Sequence, residues 1–543
     1  MDSQTRQSLS PTDRMIGQKI LLAFQGKDDL PAQAREAIRH YKPAGFTLFR
    51  TLNIASPNQV LQLCGELQRA AREAGLPLLL IGADQEGGQF NAIGEGTTPL
   101  PGNLALGATG SVDLARQAGQ VLGRELAAMG INLDYAPCCD VNINPLNPVI
   151  GTRSFGEDPQ QVAELAAAMV QGIQSCGVAA TAKHFPGHGD TFSDSHFGIP
   201  VVPHSLERLR QVELPPFSAA IRSGAKLVMT SHIALPVVDG REDLPATLSP
   251  AILRGLLREE LGFQGVIVTD AMDMQAIRQG DVLGEEAVKA ANAGADLLLV
   301  TSNPDDHRRV HSSLMRASRE GSVEREQIDL SVKRVLALKA WLASQPPQPD
   351  LSVVGCAVHR AVADRVAEAS ITLVRNEAGL LPLTPATSLR LAVVLPKSVN
   401  LTPADTSSYV IPRLAQELRQ YLPNVYEMIV PHEPKGSDIA AVLDQLDGCD
   451  LVILGTQNAF TQPGQSALAR AILATGIPAV IVALRMPYDL AAFPEAKTYL
   501  CTYSILEPSI RVLTRALFDP ARIHGRLPVT IPGLYPRGFG IAG

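Results

Sequence analysis

"GVIVTDA", residues 265–271, runs five residues without a charge and then ends on an acid, Asp270. A short run of this kind, apolar at successive positions and rich in β-branched residues, reads as a strand buried on both faces. Seven other runs upstream and downstream share the pattern: "KILLAF" (19–24), "GFTLF" (45–49), "LLLIGADQ" (78–85), "NLDYAPCCDV" (132–141), "AATAKH" (179–184), "LVMTSH" (227–232) and "ADLLLV" (295–300). Helical patterns separate them, among them "SPNQVLQLCGELQRAAREAG" (56–75), "DPQQVAELAAAMVQGIQSCG" (158–177) and "SPAILRGLLREELG" (249–262). Ser56–Pro57 and Asp158–Pro159 carry the cap-then-proline signature of a helix start. Eight strands buried on both faces and joined by helices give an α/β fold whose first part is a (β/α)8 TIM-type barrel.

The chain is 543 residues long, more than one hydrophobic core usually supports, so a second domain is expected. The Pro-rich break "WLASQPPQPDLSVVG" (341–355) marks where the barrel should end, and a connecting helix is read at "AVADRVAEASITLVRN" (361–376). A second alternation follows: "LRLAVVLP" (389–396), "NVYEMIVP" (424–431), "CDLVILGT" (449–456), "PAVIVAL" (478–484) and "TYLCTYS" (498–504). The expected division is a barrel over 1–345, a linker and connecting helix over 346–370, and a doubly wound α/β sandwich domain over 371–543.

A net charge of −7 and a pI near 5.9 argue against a nucleic-acid or anionic-membrane partner. The N-terminal "MDSQTRQSLSPTDRMIGQKILLAF" lacks the basic flank and apolar core of a signal peptide, and no stretch approaches twenty uninterrupted apolar residues. Seven cysteines are scattered without a CxxC pair or a regular framework. A cytoplasmic protein, monomer or homodimer, acting on a small molecule is the expectation, with no cofactor and no metal.

In a TIM barrel the chemistry gathers where the strands end, because the interior is packed. There the sequence places Asp84, Gln85 and Glu86, Lys183 and His184, His232 and Asp270, with Arg153 in the loop "NPVIGTRSFGEDP" (147–159). A carboxylate ending an apolar run needs a compensating field to stay ionised, which Lys183 and Arg153 could supply. Such a carboxylate suits attack on a carbon that develops positive charge, as an anomeric carbon does. An Asp that merely caps the next turn is the bland alternative.

The loop "KHFPGHGDTFSDSH" (183–196) puts three histidines, two aspartates and a lysine within fourteen residues, a density open to several schemes. Asp194 and His196 lie two apart; if locally extended, the acid can fix one imidazole nitrogen and leave the other to exchange protons. Its glycines suggest a loop able to close over a ligand. His184, His188 and His196 with Asp190 or Asp194 would make a zinc site, but neither HExxH nor CxxC spacing accompanies them. A solvated loop is the remaining possibility, and His188 by itself reads as structural.

Together, "DQEGG", "NPVIGTRSFGEDP", "KHFPGHGDT…DSH" and "VIVTDAMDM" resemble glycoside hydrolase family 3, in its β-N-acetylhexosaminidase branch with a His–Asp acid/base dyad. "ITLVRNEAGLLPL" (371–383), "ALRMPYDL" (483–490) and "GRLPVTIPGLYPRGFG" (525–540) resemble the second domain of two-domain members. The resemblance implies a retaining exo-β-N-acetylglucosaminidase acting on small soluble saccharides, either cell-wall turnover fragments or chitooligosaccharides. Asp270 would be the nucleophile, His196 the acid/base and Asp194 its orienting partner, with Asp84, Arg153, Lys183 and His184 holding the sugar. A β-glucosidase, or a dual-specificity glycosidase or phosphorylase, is the alternative in the same class, since an imidazole does not repel an anionic acceptor as a carboxylate would. A non-catalytic sugar-binding protein is the alternative of another class. One departure stands out: after "DQEGG" the family commonly carries arginines, and this chain reads Gln89-Phe90-Asn91-Ala92.

Overall fold

The structure, a computed structural model, describes residues 15–27 and 29–542. The N-terminal stretch read above for a signal peptide lies mostly outside these residues. Eight short parallel strands form the first sheet: β1 (Ile20–Leu22), β2 (Gly45–Thr47), β3 (Leu80–Ala83), β4 (Leu133–Asp134), β5 (Ala179–Phe185), β6 (Leu227–Thr230), β7 (Val266–Thr269) and β8 (Leu298–Val300). They run β8-β1-β2-β3-β4-β5-β6-β7 around the sheet. A parallel bridge between Val268 and Leu297 brings its two ends together. The barrel is therefore all but closed.

Alternation along the strands sorts the side chains. Leu21, Leu80, Leu133, Leu227, Val266, Val268 and Leu299 share one interior cluster, whereas Ile20, Leu22, Ile81, Val228 and Ile267 pack outward in the cluster that includes the helices. Both sets are buried, which is why the runs read as continuously apolar. Two of the flanking helices, α1 (Pro57–Glu73) and α2 (Pro159–Gln174), begin as read: Ser56 and Asp158 accept from the backbone N–H three residues on, with proline at the first position. At the N-terminal end, the helix Arg325–Ala343 sets Val335 and Leu338 against the interior cluster, and Lys339 donates to Gln18 just ahead of β1 at 2.7 Å.

The linking helix α3 (Ala357–Ser370) stops earlier than its sequence suggests. Residues 372–376 of the stretch read as helical form strand β9 (Thr372–Asn376), because "TLV" is β-prone and its partner strand offers a free edge. The second sheet adds β10 (Leu391–Pro396), β11 (Val425–Val430), β12 (Leu451–Thr456), β13 (Ala479–Ala483) and β14 (Thr498–Cys501). Its order is β9-β14-β13-β12-β10-β11, parallel except for the antiparallel edge strand β9. No helix among the described residues is long and apolar enough to cross a membrane.

Candidate active site

The C-terminal ends of the barrel strands open into a cavity of about 480 Å3. Asp84, Arg153, Lys183, His184, His196 and Asp270 all line it. Asp194 sits directly behind His196.

Burying two cations at the floor of a polar cavity demands anions of comparable burial. Glu86 supplies the shared one. Its carboxylate accepts from Arg153 Nε at 3.0 Å and Nη2 at 2.7 Å, and lies 2.7 Å from Lys183 Nζ. Burial alone would raise the Glu86 pKa, but the two bonded cations outweigh it and hold it at about 2. Lys183 also donates to Asp84 Oδ1 at 2.6 Å. Burial opposes its charge, yet Asp84 and Glu86 keep its pKa above the usual lysine range. The ring of Phe90 lies 5.4 Å from the Arg153 guanidinium and 5.7 Å from Lys183 Nζ, shielding the pair.

A second buried carboxylate orients His184. Asp140 accepts from His184 Nδ1 at 2.7 Å and from the backbone N–H of His188 at 2.6 Å. Burial works against its charge, but His184 and His188 outweigh that and depress its pKa well below the usual carboxylate range. With Nδ1 committed to Asp140, the Nε2 of His184 faces Arg153 Nη2 at 3.2 Å as an acceptor. Cys138, Asp140 and His184 are the one group of potential metal ligands among the described residues that lie within 4.8 Å of one another. All three already bond among themselves, since Cys138 Sγ donates to Asp140 at 3.0 Å. The zinc set weighed from the sequence is not assembled: Asp190 turns away to His204, 2.7 Å off, and both nitrogens of His188 are engaged by Thr191 at 2.7 Å and Ser195 at 3.1 Å. Burial pushes the His188 imidazole down to about 4.

Asp194 and His196 meet, though in a turn rather than an extended strand. Phe197 N donates back to Asp194 O at 3.0 Å, and Asp194 Oδ1 accepts both the backbone N–H of His196 at 2.9 Å and its Nδ1–H at 2.6 Å. Nε2 is left facing the cavity. Burial disfavours the charged imidazole, but the Asp194 bond and charge, aided by Asp270, raise the His196 pKa above its usual value. The glycines of this loop serve close approach. A Cβ on Gly189 would fall 1.9 Å from Val141 O, and Gly187 has φ +129°.

Asp270 follows β7 directly, and Ala271 N donates to its Oδ1 at 2.8 Å. Burial would raise its pKa; the field of His232, His184 and His196, with the Ala271 N–H, overrides this and lowers it. His232 is buried beneath, its Nδ1 2.8 Å from Thr247 Oγ1 and its Nε2 donating to Ala271 O at 3.0 Å.

The second domain completes the wall. Its segment 400–409 reaches the cavity through Asn400, Pro403, Thr406 and Tyr409. Gln89, where the family resemblance leads one to expect an arginine, holds that segment: its carbonyl accepts from Thr406 N and Oγ1, both at 2.8 Å. Its Oε1 accepts from Arg485 Nη2 at 2.6 Å and from Thr152 Oγ1. Arg485 also pairs with Asp405 at 2.9 Å.

This constellation can hold a hydroxyl-rich ring on charged donors and acceptors, with a carboxylate and an acid-held imidazole bordering the same space. Residues 12–338 match the model of the glycosyl hydrolase family 3 N-terminal domain. The chain belongs to glycoside hydrolase family 3. Over 583 aligned residues, covering 96% of this chain and 97% of the relative, it is 31% identical to beta-hexosaminidase A of Pseudoalteromonas piscicida. A beta-N-acetylglucosaminidase/beta-glucosidase of Cellulomonas fimi is 33% identical over 83% of each chain. Among solved structures, the family 3 β-N-acetylglucosaminidase of Paenibacillus sp. str. FPU-7 superposes with a TM-score of 0.88 at 38% identity, covering 96% of this chain and 99% of that one. Within the family 3 frame, the sequence reading placed the buried acid Glu86 at its strand end without giving it a role and passed over the buried Asp140. Both sat in plain view, Glu86 in "DQEGG" and Asp140 in "CCDV".

Proposed function

We propose that this family 3 enzyme is a retaining exo-β-N-acetylglucosaminidase that removes terminal β-linked N-acetylglucosamine from small soluble saccharides, cell-wall turnover fragments or chitooligosaccharides, in the cytoplasm. One observation carries the reading: Asp270 and the Asp194-held His196 border one cavity whose remaining polar wall is Asp84, Arg153, Lys183 and His184.

In the first step an Asp270 oxygen attacks C1 as the C1–O bond to the leaving group breaks. His196 Nε2 gives its proton to the departing oxygen, and Asp194 stabilises the imidazolium before transfer and fixes the neutral tautomer after it. In the second step the now neutral His196 takes a proton from water, whose oxygen attacks C1. The glycosyl–Asp270 ester breaks and the carboxylate returns. Asp84 and Lys183, bonded to each other, offer an acceptor and a donor to the sugar hydroxyls, and Arg153 and His184 continue that edge. The names of the relatives support the N-acetylglucosaminyl preference.

A slow fluorinated N-acetylglucosaminyl donor tests the scheme. The peptide containing Asp270 should gain the mass of one glycosyl group; a label on any other carboxylate refutes the assignment. Rates on paired nitrophenyl N-acetylglucosaminide and glucoside then read the sugar, and inactivity on the N-acetyl sugar overturns that choice.

A further inference from the structure

Beyond the reacting centre the cavity continues. Arg50 and Tyr409 line both the catalytic cavity and a larger groove of about 680 Å3 that runs between barrel residues 88–99 and the second domain. The Arg50 guanidinium stacks 4.0 Å from the Tyr409 ring centroid. The barrel is shaped around this group: a Cβ at Gly94 would fall 2.3 Å from its Nη1 and 2.6 Å from its Nη2. Asn91 O accepts from Nη1 at 3.2 Å.

No carboxylate among the described residues lies within ion-pair distance of Arg50, although the side chain is half-buried. That contrasts with Arg153 and Lys183, each matched by an acid a few ångströms deeper. A partly desolvated cation without an anion is costly unless a ligand supplies one, and a guanidinium meets a carboxylate in bidentate fashion. Farther along the groove stand Arg360 of α3 and Arg413 of the second domain, also without ion-pair partners among the described residues. The acids on this groove are accounted for differently: Glu507 is paired with Arg511, Glu417 accepts from Gln420, and Glu95 is exposed at the rim.

We propose that the groove receives the aglycone, and that Arg50 selects glycosides whose aglycone carries a carboxylate close to the scissile bond. Arg360 and Arg413 extend the selection to longer, multiply acidic aglycones. The inference rests on the glycosidase reading of the catalytic cavity. Its chemistry separates a carboxylate-bearing sugar, or one bearing a peptide, from the neutral chitooligosaccharides that the cavity alone would accept.

A matched pair of aryl β-N-acetylglucosaminides tests it, one with a carboxymethyl group on the ring and the other with its methyl ester, so that the leaving groups differ in charge and little else. A second pair places the carboxylate at the end of a dipeptide. The ratio of kcat/KM between acid and ester should be about tenfold or more in the natural chain, as for a charge-assisted contact, and should shrink with added salt. Arg50→Met should bring the first ratio near one, while Arg50→Lys retains part of it. Arg360→Gln with Arg413→Gln should lower the ratio for the dipeptide pair. Equal rates for acid and ester in the natural chain, or an unchanged ratio in Arg50→Met, overturn the proposal. The same pairs built on glucose keep the tests separate: a mistaken sugar assignment moves both members of a pair together, whereas a mistaken aglycone assignment leaves the members equal.

Discussion

Asp194 holds His196 twice with one oxygen, accepting the backbone N–H at 2.9 Å and the ring Nδ1–H at 2.6 Å. The ring is thereby fixed in tautomer and in direction by a residue two positions away, without help from another strand. Both side-chain hydrogen bonds that Asp194 accepts from the described residues come from His196, one from its backbone and one from its ring.

His196→Ala should slow glycosides with poor leaving groups by roughly 10²–10⁴, the usual contribution of a general acid, and spare activated aryl glycosides. Steady-state rates across a series of leaving groups check this, and an equal loss throughout would exclude His196 as the acid.

Asp194→Asn should act through pH. The acid form of His196 is required in the first step, and its pKa is raised above the usual 6.5, so activity falls as pH rises through that higher value. Removing the Asp194 charge lowers the His196 pKa and moves the alkaline limb of kcat/KM toward acid. The acid limb belongs to Asp270, whose pKa lies below its usual 3.8, and should stay in place.

Asp270→Ala should abolish turnover while N-acetylglucosamine still binds through Asp84, Arg153, Lys183 and His184. Calorimetry on the inactive variant reads the binding; activity restored by azide, with inverted product, would mark the lost nucleophile.

Glu86→Ala should destabilise the fold by about 3–5 kcal/mol, because it leaves the buried Arg153 without a carboxylate and Lys183 with Asp84 alone. The pH dependence has a definite sign. Glu86 is depressed from 4.5 to about 2, so its contribution is complete above its unfolded pKa and is lost as pH falls through about 2. Denaturant melts of the natural chain and the variant should therefore converge in strong acid.

Gln89→Arg should impair the enzyme, although the family resemblance leads one to expect an arginine there. The Gln89 Oε1 accepts from Arg485 Nη2 at 2.6 Å, and a second guanidinium would face that cation. KM should rise more than kcat falls; the double variant Gln89→Arg, Arg485→Gln should recover part of the loss.

The barrel was legible because its strands are apolar on both faces and carry their polar residues at one end, as "VIVT" before Asp270 shows. Boundaries were less so. "NLDYAPCCDV" reads as one strand, but only Leu133–Asp134 pairs regularly, since Pro137 has no N–H to give. The groups aimed at substrate were readable from motifs, whereas Glu86 and Asp140 act on partners 67 and 44 positions away, a relation no local pattern encodes. The contribution of the second domain was hidden for the same reason. Thr406 and Arg485 meet Gln89 across 317 and 396 positions.

The bond between Gln89 and Arg485 has a bearing on engineering. Each half of the enzyme carries one side of a lock cut for the other, so a barrel grafted onto a sister enzyme's second domain would arrive with a mismatched wall unless both residues travelled together.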